Sequence, residues 1–165
     1  MDRSASPPAP SPATGSAPGA PRPPGRAVES DADIAALLAT IHRVAVLGIK
    51  PAFTGQPAYY VPAYAQRAGL EVIPVPVYYP EMTSVLGQPV YRRLADVPGP
   101  IDLVDVFRRS EDVPPHVDDI IAASPRAVWM QLGIRNDDAA ARLLAAGIDV
   151  VQDRCLLVEL QRLGR

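Results

Sequence analysis

Val44-Ala45-Val46-Leu47-Gly48 is a continuous apolar run closed by a glycine, the pattern of a short strand buried on both faces. The same pattern recurs along the chain. Glu71-Val72-Ile73-Pro74-Val75, Ile101-Asp102-Leu103-Val104-Asp105-Val106, Ala127-Val128-Trp129-Met130-Gln131 and Ile148-Asp149-Val150-Val151 read as four further strands. Between them lie stretches of helical spacing. Residues from about Pro57 to Ala68 stop at Gly69, a good residue to follow a helix. Val113, Val117, Ile120 and Ile121 form a second stripe, with Pro114 and Pro115 tolerated in its first turn. Asn136 caps a third helix, where Asp137 and Asp138 complement the dipole ahead of Leu143 and Leu144, and Gly147 ends it. A final helix is predicted from about Leu156 to Leu163.

Parallel neighbours need crossover connections, so strands alternating with helices imply an α/β fold. The prediction is a Rossmann-like, doubly wound parallel sheet of about five strands in a three-layer α/β/α arrangement. Ser30 is a helix cap with Asp33 three residues on, ahead of Ile34, Leu37, Leu38 and Ile41 at helical spacing. The link from Tyr78 to Pro100 is less regular and is predicted to carry short helical turns around Val85 and Leu94.

With 165 residues the chain has room for one domain. Residues 1–28, rich in Pro, Ala, Ser and Gly, read as a disordered tail, and 29–165 as the domain. A hydrophobic content of 48% suits a globular protein, and a net charge of -2 gives no footprint for nucleic acid. No apolar run reaches the about 18 residues of a membrane span. The single cysteine, Cys155, excludes an internal disulfide and suits the reducing cytoplasm, the expected compartment. No metal-ligand spacing such as C-x-x-C is present, and no metal is expected.

In an open α/β sheet ligands bind outside the carboxyl ends of the strands. The turn after the first strand, Gly48-Ile49-Lys50-Pro51-Ala52-Phe53, lacks the G-x-G-x-x-G dinucleotide fingerprint, because Lys50 and Phe53 stand where glycines belong. The second strand ends in Pro76 and Val77, without the carboxylate that would meet a ribose. Both features count against NAD. An anionic ligand still fits: Gly48 permits close backbone approach, the helix starting near Pro57 offers free N–H groups, and Lys50 adds charge.

Three further strand ends carry candidate groups. Phe107 can cover an adenine or a pantetheine arm, or belong to the core, and Arg108 can meet a phosphate or lie on the surface. Gln131 needs a partner, supplied by a neighbouring loop or by a ligand, while Gly133 and Arg135 sit on the exit turn. Asp153 can anchor a neighbouring turn. Cys155 reads as a small buried residue, since His42 and His116 fall outside the strand-end cluster. Tyr59, Tyr60 and Tyr64 in the helix, and Tyr78 and Tyr79 after the second strand, divide between packing and stacking on an adenine.

Taken together, Val46-Leu47-Gly48, Pro57-Ala58-Tyr59-Tyr60-Val61, Val72-Ile73-Pro74-Val75, Val104-Asp105-Val106-Phe107-Arg108, Trp129-Met130-Gln131-Leu132-Gly133-Ile134-Arg135 and Val150-Val151-Gln152-Asp153-Arg154-Cys155 resemble one group. It is the family of small stand-alone CoA-binding proteins, similar to the CoA-binding domain of the succinyl-CoA synthetase alpha subunit. The resemblance runs from about Ile41 to Arg162. It implies a Rossmann-like domain that holds coenzyme A or acyl-CoA at the carboxyl edge of the sheet. By motif, the contacts would come from Gly48, Ile49 and Lys50, from Pro74, Val75 and Pro76, from Val106, Phe107 and Arg108, and from Gln131 and Gly133.

Two positions depart from the family pattern. Ile49 and Lys50 stand where a small hydroxyl residue usually follows the glycine, and Pro76 replaces an asparagine, removing a side-chain group and a backbone donor. No catalytic set is present, so the expectation is a non-catalytic CoA carrier, sensor or regulator with a small-molecule ligand. The alternatives are an NAD(P)-linked oxidoreductase with a divergent phosphate turn, and an interaction or regulatory protein whose ligand site has decayed. No protein partner is identified by the sequence.

Overall fold

A computed structural model describes residues 21–165. Five parallel strands, β1 (Arg43–Leu47), β2 (Glu71–Val75), β5 (Leu103–Val106), β6 (Ala127–Met130) and β7 (Asp149–Val151), form one sheet in the order β2-β1-β5-β6-β7. A two-stranded antiparallel hairpin, β3 (Ser84–Val85) and β4 (Gln88–Pro89), lies in the link between β2 and β5.

Alternation along the strands divides the core into two layers. Val44, Val46, Val72, Leu103, Trp129 and Val151 meet α1 (Asp31–Leu38), α2 (Pro57–Arg67) and α5 (Leu156–Arg162) through Ile34, Leu38, Val61, Leu156 and Leu160. On the opposite face Ala45, Leu47, Ile73, Val104, Val128 and Met130 meet α3 (Val117–Ala123) and α4 (Asp137–Ala145) through Val117, Ile120, Ala139 and Leu143. The result is a doubly wound, three-layer α/β fold. Both expected caps form: the Ser30 side chain accepts from Asp33 N at 3.1 Å, and Asn136 from Ala139 N at 2.9 Å.

Local outcomes differ from expectation at two places, around Val85 and at Pro114 and Pro115. Around Val85 the chain makes a hairpin instead of a helical turn. Leu86 and Gly87 take φ of 54° and 71°, so both central residues of its two-residue loop lie in the left-handed region, as in a type I′ turn. The expected turn at Leu94 is present as a single 3-10 turn, Leu94–Asp96. Pro114 and Pro115 sit in a separate 3-10 turn, Pro114–His116, ahead of α3, where their missing N–H groups cost no helical hydrogen bond.

The predicted tail falls partly within the described residues, and residues 21–28 lie against the sheet. Ala27 pairs in parallel with Val150, Val28 N donates to Val150 O at 2.9 Å, and Val150 N donates to Arg26 O at 3.0 Å. Val28 is buried in the α1, α2, α5 layer. The packed chain therefore starts upstream of residue 29. Residues 1–20 lie outside the described residues.

Candidate functional site

The order β2-β1-β5 places a switch point between β1 and β5, where the chain leaves for opposite faces of the sheet and a crevice opens at the strand ends. A cleft of about 770 Å³ occupies this position. Its walls are the exit of β1 (Gly48, Lys50), the start of α2 (Gln56 to Ala58, Tyr60, Val61), the segment after β5 (Phe107 to Asp112) and the exit of β6 (Gln131 to Ile134), with Tyr78 and Cys155 completing them.

Gly48 lets β1 and β5 converge. Its φ is +87°, its N–H donates to Val75 O at 2.8 Å, and a Cβ there would stand 2.3 Å from the Phe107 carbonyl oxygen. Only glycine satisfies both the backbone angle and this approach. The turn then carries Lys50, whose backbone N–H donates to Ala58 O at 3.2 Å and whose Nζ donates to the neutral Gln56 Oε1 at 2.6 Å. Helix α2 begins on Pro57 with no side-chain cap from Gln56, so its positive end is open to an anion.

Arg108 crosses the opposite wall. Its side chain is 14% exposed, and among the described residues its only carboxylate contact is with Asp112 at 3.8 Å and its buried Nε has no partner. Its guanidinium lies 5.3 Å from the centroid of the Tyr78 ring and holds that phenol below its ordinary pKa. Arg109 differs: it is exposed and hydrogen-bonded to Asp112 at 2.7 Å, which keeps the Asp112 carboxyl low. Tyr60, Tyr78 and Leu132 are exposed along the cleft, beside the exposed polar side chains of Gln56, Arg109 and Glu111.

Gln131 finds its partners inside the protein. Its Nε2 donates to Asp105 Oδ1 at 2.6 Å and its Oε1 accepts from Leu156 N at 3.3 Å. Asp105 is fully buried, and burial pushes its carboxyl up to about 7 while the Gln131 hydrogen bond acts in the other direction. Asp153 anchors the exit turn, accepting from Gly133 N at 2.6 Å and donating its own N–H to Ile134 O at 3.1 Å.

Of the predicted contacts, Gly48, Lys50, Phe107, Arg108, Gln131 and Gly133 line the cleft together. Ile49, Pro74, Val75, Pro76 and Val106 do not. Ile49 belongs to one core layer and Val75 and Val106 to the other, because alternation at a strand end sends every second side chain inward. Pro74 and Pro76 are buried. Arg135 pairs with Asp137 at 3.1 Å and lines a second, smaller cavity of about 250 Å³ beside β7. Gln56, Ser110 and Asp112 join the lining although none was a candidate from sequence. Asp105 was also missed, since its Gln131 partner is remote in sequence. Among the tyrosines, Tyr60 and Tyr78 reach the cleft, Tyr59 and Tyr64 pack on the core, and Tyr79 meets Phe53 edge-on at 6.0 Å. Among the described residues no cluster of His, Cys, Asp and Glu is placed to hold a metal, and no helix is long and apolar enough to cross a membrane.

Fold and cleft define a small Rossmann-like domain with a crevice at the switch point between β1 and β5. The family model described as CoA binding domain matches residues 42–161, and the chain belongs to that family. It is 33% identical to the Bacillus subtilis (strain 168) protein YneT over 129 residues, covering 78% of this chain and 93% of that one. Among solved structures it resembles the Thermus thermophilus protein cell-free ID.343, at 36% identity and a TM-score of 0.75, covering 82% of this chain and 99% of that one. A protein from Pyrococcus horikoshii OT3 is similar at 29% identity and a TM-score of 0.76, covering 83% of this chain and 94% of that one.

Proposed function

We propose that the chain is a non-catalytic binder of CoA or acyl-CoA, a carrier, sensor or regulator, and that the β1/β5 cleft is its site. One observation carries this reading: Lys50, held by a neutral amide, and Arg108, whose nearest carboxylate among the described residues is Asp112 at 3.8 Å, share a cleft with the uncapped start of α2. CoA brings a diphosphate and a phosphomonoester to such a site. A helix start and an ammonium suit the first, and a guanidinium fork suits the second. The volume lies in the range of roughly 300–1,000 Å³ typical of small-molecule sites.

Exposed apolar surface in the lining supports the acyl or pantetheine end of the same ligand, with Leu132 70% exposed and Tyr60 and Tyr78 beside it. The buried Pro76 at the end of β2 offers nothing to a ribose, which weighs against NAD(P). Calorimetry with CoA, acetyl-CoA, NAD and NADP tests the reading. Binding of CoA with no response to the dinucleotides is expected; a clear NAD or NADP signal with no CoA heat overturns it.

A further inference from the structure

Three polar or charged side chains are buried among the described residues, and they are handled differently. Glu159 on α5 has Arg154 at 3.4 Å and Arg162 at 3.5 Å. Asp105 has only an amide. Its Oδ1 accepts from Gln131 Nε2, and its Oδ2 has no partner. Gln131 in turn accepts from Leu156 N, the first residue of α5, next to Cys155. Gln131 and Cys155 both line the cleft. A chain of carboxyl, amide and helix start therefore runs from the sheet interior to the cleft wall.

The direction of this chain is fixed by donors and acceptors. Leu156 N–H can only donate, so it sets Gln131 Oε1 toward α5 and leaves Nε2 to face Asp105. An ionised Asp105, which only accepts, fits the Nε2 donor at Oδ1 and leaves Oδ2 unpartnered. A protonated Asp105 adds an O–H that either stays buried without an acceptor or takes Gln131 Oε1, turning the amide so that its NH2 opposes Leu156 N–H. The amide orientation therefore follows the protonation state: the ionised acid keeps Gln131 Nε2 on Asp105 and Oε1 on Leu156 N, while the proton introduces a donor that competes for Oε1.

Among the described residues no charged partner compensates Asp105. Its register neighbours are Val46 on β1 and Trp129 on β6. The titratable groups of the helices on this face are Asp31 and Asp33 on α1, Tyr59, Tyr60, Tyr64 and Arg67 on α2, and Cys155, Glu159 and Arg162 at or on α5, with Glu159 already paired to Arg154 and Arg162. Desolvation by burial and the Gln131 hydrogen bond are the influences on its carboxyl.

We propose that Asp105 is a positioning residue of the cleft: ionised, it holds Gln131 and the start of α5 in the binding arrangement, so ligand affinity is coupled to loss of its proton. This rests on the CoA reading for the identity of the ligand. Two measurements separate the two claims. In the ligand-free protein, the side-chain amide of Gln131 and the backbone amide of Leu156 should titrate together in NMR spectra with a midpoint near 7, and be flat in Asp105→Asn, the isostere of the protonated acid. Amides that do not titrate in the wild type overturn the proposal whether or not CoA binds, and need no variant to fold.

The second measurement is CoA affinity from pH 6 to 8 for wild type and Asp105→Asn. The ionised fraction rises from about a tenth to about nine tenths over that range, so wild-type affinity should rise about tenfold relative to the variant. Proton changes of CoA itself are common to both proteins and cancel in the ratio. Parallel profiles overturn the coupling and leave CoA binding standing; titrating amides with no CoA binding at any pH keep the switch and reject the ligand.

Discussion

Replacing Gly48 by alanine tests the point on which the cleft depends. The residue has φ of +87°, and an added Cβ would stand 2.3 Å from the Phe107 carbonyl oxygen and 3.4 Å from Arg108 Cδ. Holding an L residue in the left-handed region costs roughly 1–2 kcal/mol. Backbone oxygen cannot rotate out of the way as a side chain can, so the exits of β1 and β5 must part, at a typical overpacking cost of about 1–3 kcal/mol. The expected loss is about 2–5 kcal/mol in urea unfolding, with a fall in thermal midpoint of roughly 10 °C. Gly133→Ala is the internal control: its φ is +82°, but nothing lies within 4 Å of an added Cβ, so it should lose only the conformational part. The difference between the two variants isolates the close approach of the strands. Equal losses would refute the reasoning, because β1 and β5 would then be free to separate and Gly48 would serve the turn alone. CoA affinity should also fall in Gly48→Ala, since displacing Phe107 carries Arg108 with it.

Other outcomes follow from individual groups. The Asp105 carboxyl is raised in the folded state to about 7 from an ordinary value near 4, so the unfolded chain releases this proton first. Its contribution is fully favourable at low pH, falls as pH rises from about 4 to about 7, and is constant above; the span is on the order of 4 kcal/mol, and the slope should vanish from the stability profile of Asp105→Asn. Lys50→Gln and Arg108→Gln should each weaken CoA by roughly tenfold, the size of one charge-assisted contact, with reduced sensitivity to salt; calorimetry at two ionic strengths checks this. Val28→Ala removes two buried methyl groups from the segment beside β7 and should cost about 2 kcal/mol in urea unfolding. An unchanged midpoint would mean that residues 21–28 add nothing to the fold.

The strands were legible because burial on both faces leaves an unbroken apolar signature. β2 occupies the stretch read for it, and β1 begins one residue earlier than its apolar run. Ser30 and Asn136 were readable for a different reason, since an N-cap is a local contact that sequence order alone creates. Contacts closed by the fold were not. Asp105 sits in a Val-Asp-Val strand whose sign of unusual burial is a glutamine just past the end of β6. The hairpin at Val85 was hidden by Leu86, which occupies a positive-φ position that asparagine or glycine normally advertises. Residues 21–28 have the composition of a tail, but Gly25 lies against the Ile148 carbonyl and Val28 against the core.

The cleft shows the same division. Gly48, Phe107, Gln131 and Gly133 were accessible to sequence because strand ends define the binding edge of this fold. Ile49, Val75 and Val106 share those strand ends but face inward, a distinction set by alternation at the point where each strand stops. Gln56, Ser110 and Asp112 come from turns whose course the sequence does not fix.

The central claim is that CoA occupies the β1/β5 cleft, and backbone amide shifts during a CoA titration test it most directly. The account predicts shifts concentrated at Gly48 and Lys50, at Gln56 to Ala58, along Phe107 to Asp112 and along Gln131 to Ile134, with β2 and β7 quiet. Saturable binding whose shifts instead cluster at the smaller cavity, around Ala27, Arg135, Val150 and Gln152, would contradict it.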